Sequence, residues 1–187
     1  MSATKYLIVG IGGATNSGKS SVSSMLCRML PHAEWMRQDD YFLAPDDPNV
    51  EMLNGYQNWD TLSALEMDRM VRDVEQWITQ QQNNVEPKVL ILEGFLIFNH
   101  SKLAALIEKK YFITITKEVC EARRRHRTYN PPDTPGYFDN VVWPSYLKHL
   151  DDLKIQDDIE YIDGLADLAT ITQLVLGKIE TALDSLL

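Results

Sequence analysis

Continuous apolar runs and helical apolar stripes take turns along this chain, and their alternation predicts the architecture. The run Tyr6-Leu7-Ile8-Val9-Gly10-Ile11 is rich in β-formers and has no polar alternation, which suits a strand buried on both faces of a parallel sheet. It ends in glycines and Ser17-Gly18-Lys19-Ser20; from Ser20 to Leu30, Val22, Met25, Leu26, Met29 and Leu30 recur at helical spacing until Pro31 stops the helix. A short strand at Ala33–Arg37 runs into Asp39-Asp40, and Pro45, Pro48, Gly55 and several Asp and Asn mark residues 44–59 as a loop. Thr61 is placed to cap a helix through Leu62, Leu65, Met70, Val71, Val74 and Ile78, with Glu66 in its early turns, before a polar turn at 80–87. Val89-Leu90-Ile91-Leu92 is a second buried strand ending at Glu93-Gly94, and Tyr111–Ile115 a third, followed by a helix carrying Arg123, Arg124, Arg125 and Arg127. Residues 130–137 contain three prolines and a glycine and must be loop. A helix over Asp139–Leu153, a strand at Glu160–Ile162 and an amphipathic helix over Leu168–Leu186 close the chain. The pattern predicts a three-layer α/β domain with a parallel sheet and no internal repeat.

Charge narrows the function classes. Lys and Arg number 18 against 27 Asp and Glu, giving 18 − 27 = −9, with 44% hydrophobic residues. That balance argues against nucleic-acid binding through bulk electrostatics, so an anionic ligand must meet a local positive site. No apolar run approaches the ~20 residues of a membrane span, and Tyr6–Ala14 is too short and glycine-broken for a leader. Cys27 and Cys120, far apart in sequence, read as small buried hydrophobes in a cytoplasmic protein. His32, His100, His126 and His149 show no metal-ligand spacing and receive no role.

Local positive chemistry is present. Gly13-Ala14-Thr15-Asn16-Ser17-Gly18-Lys19-Ser20 fits G-x-x-x-x-G-K-[ST] at every fixed position, between a buried strand and a helix. Backbone N–H groups from Gly13, Asn16, Ser17 and Gly18 through Ser21 would converge there on phosphates, with Lys19 reaching the β- and γ-phosphates and Ser20 holding Mg²⁺. Glu93 stands at the C-terminal end of a central strand, where it either orders Mg²⁺ or pairs a lysine. Of Asp39 and Asp40, one carboxylate beside a γ-phosphate could accept a substrate proton, and the other would be structural. Arg123, Arg124, Arg125 and Arg127 place four cations within five residues next to a Pro-rich loop, in reach of transferring oxygens. Helical spacing would put Arg127 on one face with Arg123 and Arg124.

Gly13–Ser20, Gln38–Phe42, Asn58-Trp59-Asp60, Ile91–Asn99 and above all Arg123–Asp139, with Pro131-Pro132-Asp133-Thr134-Pro135-Gly136-Tyr137-Phe138-Asp139, resemble the nicotinamide riboside kinase family. Val142-Trp143-Pro144 and Tyr161–Gly164 extend the resemblance over nearly the whole chain. It implies a three-layer P-loop kinase fold over residues 1–187 as one domain, with a small lid near 123–138. It also implies ATP-dependent phosphorylation of the ribose 5′-hydroxyl of nicotinamide riboside, and of nicotinic acid riboside, in NAD biosynthesis. By position, Asp39 would accept the hydroxyl proton and share Mg²⁺ with Ser20 and Glu93. Asp60 and Arg124 would bind the ribose, Arg123 and Arg127 the ATP, and Trp59 and Tyr129 would flank the nicotinamide, with Asn130 beside it. The ring is a pyridinium cation, which aromatic faces attract; Trp59 stands where animal members of the family carry tyrosine. A monomer is expected. A uridine kinase-like enzyme and a nucleotide-switch module are the alternatives; the absence of an N-K-x-D segment weighs against the switch.

Overall fold

The computed structural model describes residues 6–81, 86–129 and 132–186. Its centre is a five-stranded, all-parallel sheet of β1 (Tyr6–Gly13), β2 (Ala33–Arg37), β5 (Lys88–Gly94), β6 (Lys109–Thr114) and β7 (Ile159–Asp163), in the order β2-β5-β1-β6-β7. Around it lie α1 (Lys19–Met29), the two-residue strands β3 (Met52–Leu53) and β4 (Tyr56–Gln57), α2 (Met67–Gln80), α3 (Ser101–Leu106), α4 (Lys117–Arg125) and α5 (Trp143–Asp152), with α6 (Leu168–Asp184) as the closing helix.

The continuous apolar runs become strands because alternate residues feed two different cores. Leu7, Val9 and Ile11 of β1 and Val89 and Ile91 of β5 pack under α1 and α6, against Val22, Leu26, Ile171, Val175 and Ile179. Ile8, Leu90, Leu92 and Phe112 face the other way, onto Met70, Val74 and Trp77 of α2 and Leu103 of α3. Phe98 lies so close over β1 on that side that a Cβ at Gly10 or Gly12 would stand 2.5 or 2.7 Å from its ring. The strand order turns at β1, whose carboxyl end therefore opens into the crevice where open α/β sheets bind ligands.

The departures from the sequence reading lie between the main strands. Residues 44–59 are not all loop: Asn54-Gly55, both at positive φ, make the two-residue turn of the β3-β4 hairpin, a signal the polar composition hides. The helix expected after Thr61 starts later. A short 3₁₀ turn spans Leu62–Ala64, and Leu65 is extended because it bridges Phe42, while the Glu66 N–H donates to the Tyr41 carbonyl; α2 begins only at Met67. Arg127 lies past the end of α4, which His126 caps, so it does not share a helical face with Arg123 and Arg124. A π-turn at Phe138–Val142 precedes α5, where the reading had one helix from Asp139. Cys120 is buried but Cys27 only partly, because it lies at the margin of its core rather than inside it. Part of the polar turn at 80–87 and the Asn130-Pro131 step fall outside the described residues. Among the described residues no helix is long and apolar enough to cross a membrane.

Candidate active site

β1 ends in a loop that turns back on itself before α1. Gly13 has φ 148°, and a Cβ there would meet the Ile113 carbonyl at 2.5 Å and the Ser17 hydroxyl at 2.7 Å, so only glycine lets the loop pass this close to β6. Asn16 and Gly18 also lie at positive φ, and Gly18 precedes α1 without any side-chain cap. The first N–H groups of α1 thus keep their hydrogen-bonding capacity, and the helix has no acidic residue in its first turn to oppose an anion. The Ser17 hydroxyl is buried and has no hydrogen-bond partner among the described residues, as expected of a group that completes its bonding with a ligand.

Lys19 and Glu93 occupy the floor. Lys19, 7% exposed, donates to the Ala14 carbonyl at 3.4 Å and lies 3.9 Å from Glu93 Oε1; the Ser20 hydroxyl donates to the same oxygen at 3.1 Å. Burial raises the Glu93 pKa, the Lys19 ammonium works against that, and the charge of Asp39 adds to it. Glu93 thus stands where one of its two sequence readings put it, beside a lysine, and it also accepts from Ser20. Asp39 and Asp40 separate clearly. Asp39 is half-buried and lines a cavity, while Asp40 is exposed, 3.6 Å from Arg37, its carbonyl accepting from Arg69.

Two cavities flank this floor. One, of about 510 Å³, runs along Asn16–Ser21 to Arg123, Arg127 and the Gly164–Ile171 segment. The other, of about 350 Å³, is lined by Asp39, Phe42, Trp59, Asp60, Phe95 and Arg124, with Thr15, Tyr129, Asp133 and Tyr137 around them. Lys19 and Arg127 line both. Arg123 donates to the Asn16 and Gly164 carbonyls at 3.2 and 3.3 Å, joining the loop to the far wall of the first cavity.

The second cavity is assembled from loops. Arg124 is buried, with two donors on Asp133, one of them at 2.8 Å, and a third 3.2 Å from the Thr15 hydroxyl. Its guanidinium lies 4.1 Å from the Tyr129 ring centre, and that of Arg127 5.3 Å. The Tyr129 hydroxyl exchanges hydrogen bonds with the Asn16 amide at 3.0 and 3.2 Å, tying the Arg-rich segment to the β1-α1 loop. Asp60 Oδ2 accepts from the Tyr137 hydroxyl at 3.2 Å; burial raises the Asp60 pKa, and Arg124 opposes the rise. Trp59 packs edge-on to Phe42, which stacks on Phe95. Asn130 lies outside the described residues.

Apart from Asp40 and Arg125, which line neither, every other residue given a site role from the sequence lies along one cavity or both except Gly13, which shapes the loop, and Glu93, which lies beneath it. Sequence reasoning missed Thr15, Phe42, Phe95 and His149. Thr15 was an unspecified position within the motif, and Phe42 and Phe95 stood inside segments that carried the resemblance without a role of their own. It gave Asp133 and Tyr137 no role of their own, although they stand within the Pro-rich segment that carried the resemblance.

No family model matches the chain. A solved gluconokinase from Sinorhizobium meliloti shares its fold, with TM-score 0.60 and 16% identity over 98% of this chain and 97% of that one. The parallel-sheet fold, with its phosphate-binding loop after β1, is thus the one that solved sugar and nucleoside kinases carry. Among sequences, nicotinamide riboside kinase 1 of Rattus norvegicus is 39% identical over 86% of this chain and 87% of its own length. Nicotinamide riboside kinase 2 of Homo sapiens is 36% identical over 95% and 82%. The chain belongs to the nicotinamide riboside kinase family.

Proposed function

We propose that this protein transfers the γ-phosphoryl group of ATP to the ribose 5′-hydroxyl of nicotinamide riboside, giving the mononucleotide used in NAD synthesis. The observation that carries the reading is the junction: a phosphate-binding cavity and an aromatic, carboxylate-bearing cavity meet at Lys19 and Arg127, with Asp39 on the acceptor side. Residues 1–187 act as one kinase domain, with 123–138 as the lid.

The donor triphosphate lies on the N–H groups of the β1-α1 loop and the start of α1, with Lys19, Arg123 and Arg127 compensating its charge. Nicotinamide riboside fills the second cavity, its ribose hydroxyls on Asp60 and Arg124. The pyridinium lies between Trp59, which packs edge-on to Phe42, and Tyr129, whose ring also carries the Arg124 and Arg127 guanidinium groups. Cation–π attraction to such a face contributes about 0.5–2 kcal/mol. As the 5′-oxygen bonds to the γ-phosphorus and the bond to the ADP oxygen breaks, the hydroxyl proton passes to Asp39. In a loose transition state that transfer comes late, and Asp39 chiefly orients the nucleophile.

The donor set fits Mg²⁺. Among the described residues no three His, Cys, Asp or Glu side chains gather as a metal cage. The Ser20 hydroxyl, Asp39 and Glu93 suit an ion held by one or two carboxylates plus substrate phosphates. Held by these residues, Mg²⁺ would supply positive charge to neutralise what develops on the transferring phosphoryl group.

The test is a panel of acceptors with ATP and Mg²⁺. Turnover of nicotinamide riboside far above uridine is expected, and equal or faster turnover of uridine would overturn the substrate assignment.

A further inference from the structure

Asp60 borders two hollows. One is the acceptor cavity; the other, on its far side, is a small space of about 20 Å³ shared with Thr15, Phe95, Asn99, Tyr146 and His149. Between the β3-β4 hairpin and α2 the chain around Asp60 has no regular structure, so side-chain bonds must set its position. Its carboxyl accepts from the Tyr137 hydroxyl at 3.2 Å, and its N–H donates to the Asn58 side chain at 3.2 Å. The remaining backbone group, the Asp60 carbonyl, lies 2.8 Å from Nε2 of His149.

A carbonyl oxygen can only accept, so Nε2 carries a proton and donates, which fixes the ring's role. The side chain of His149 is 16% exposed, and its Nδ1 faces Asp152 at 3.9 Å. The backbone of His149 is held in turn: its carbonyl accepts from the Asn99 side-chain amide at 3.0 Å. Asn99 lies just beyond the carboxyl end of β5, the strand that carries Glu93. A chain of hydrogen bonds thus runs from the rigid sheet edge through α5 to the loop that presents Asp60, and it ends without His149 lining the acceptor cavity.

We propose that His149 is a positioning residue for riboside binding: by holding the Asp60 carbonyl it fixes the Asp60 carboxylate where the ribose hydroxyls meet it. This rests on the riboside kinase reading. Its effect belongs to acceptor binding alone, because no bond in the chain touches the nucleotide cavity. An error of even 1 Å in a group that recognises substrate is enough to weaken binding.

The test compares His149→Leu with His149→Gln. Leucine fills the ring's space without a donor, whereas alanine would enlarge the neighbouring hollow and admit a water that could replace one. Glutamine places an amide nitrogen near the position of Nε2. His149→Leu should raise the dissociation constant of nicotinamide riboside, measured calorimetrically without ATP, and its KM by about tenfold, the scale of one lost buried hydrogen bond. The KM for ATP should stay unchanged, and His149→Gln should recover most of the affinity. Unchanged riboside binding in His149→Leu, or a matching rise in the KM for ATP, would overturn the proposal. If His149→Leu does not fold, His149→Met, which also fills the space without a donor, takes its place and the same outcomes decide. Failure of the wild-type protein to bind the riboside would instead remove the reading beneath it.

Discussion

The two halves of the site are built on different principles. The donor half is local: Gly13 to Ser21 follow one another in sequence, run from the end of a central strand into the start of a helix, and work largely through backbone groups. The acceptor half draws Asp39, Phe42, Trp59, Asp60, Phe95, Arg124 and Tyr137 from separate segments, most without regular structure, held by bonds such as Arg124 to Asp133 and Tyr137 to Asp60. Backbone recognition anchored on a sheet is hard to alter without breaking the fold. Side-chain recognition on loops changes one residue at a time, which is why a common fold can present a phosphate-binding loop to different acceptors.

The largest expected effect falls where the halves meet. Asp39→Ala should lower kcat by at least ~10²-fold, the usual contribution of a positioned general base, while ATP binds as in the wild type. Steady-state kinetics together with nucleotide titration check both statements. If ATP affinity fell in step with turnover, Asp39 would belong to the donor half and the division would need redrawing. Near-normal turnover would move the proton acceptor elsewhere.

The same contrast explains what could be read without coordinates. The donor half was legible because its chemistry is contiguous and its strand and helix announce themselves by periodicity, so Lys19, Ser20 and the fold around them were within reach of pattern alone. Glu93 and the Asp39-Asp40 pair were candidates from their places at strand ends, and only the resemblance chose Asp39 from the pair. Acceptor residues such as Asp60 and Arg124 could be given a ribose-binding role only through resemblance, because no spacing rule links positions so far apart. His149 left no trace at all: a lone histidine on a helix looks the same whether or not a backbone carbonyl waits for it. Likewise the start of α2 was misplaced because Leu65 bridges Phe42, a tertiary contact that overrides a local cap signal.

Trp59→Ala sharpens the comparison within the acceptor half. Loss of one aromatic face should raise the KM for nicotinamide riboside by about 2- to 30-fold, the range that 0.5–2 kcal/mol of cation–π attraction spans. The KM for ATP should not move. A neutral riboside gains nothing from the quadrupole, so its weaker binding should suffer less from the substitution. Equal losses for charged and neutral rings would show that Trp59 acts by shape alone.

Asp60→Asn gives the smallest effect and the most specific one, because it sets recognition against stability. Burial raises the pKa of this carboxyl above the ordinary 3.8. Folding therefore favours the protonated form more than the unfolded chain does, and the wild type loses stability as pH rises from that ordinary value through the raised one. Asparagine is neutral throughout and keeps an oxygen for the Tyr137 hydroxyl, so the variant lacks this loss. Thermal unfolding should show Asp60→Asn more stable than the wild type at pH 8 by roughly 2–4 °C, the shift that about 1 kcal/mol produces in a domain of this size. The difference should shrink toward zero as pH falls to 3.8, while riboside affinity at pH 8 is weakened by loss of the carboxylate. Stability gained where binding is lost is the pattern of a group kept for function. A variant less stable than the wild type at pH 8 would mean that the attraction between Asp60 and Arg124 outweighs the cost of burying the charge, making the acceptor half a source of stability and not a demand on it.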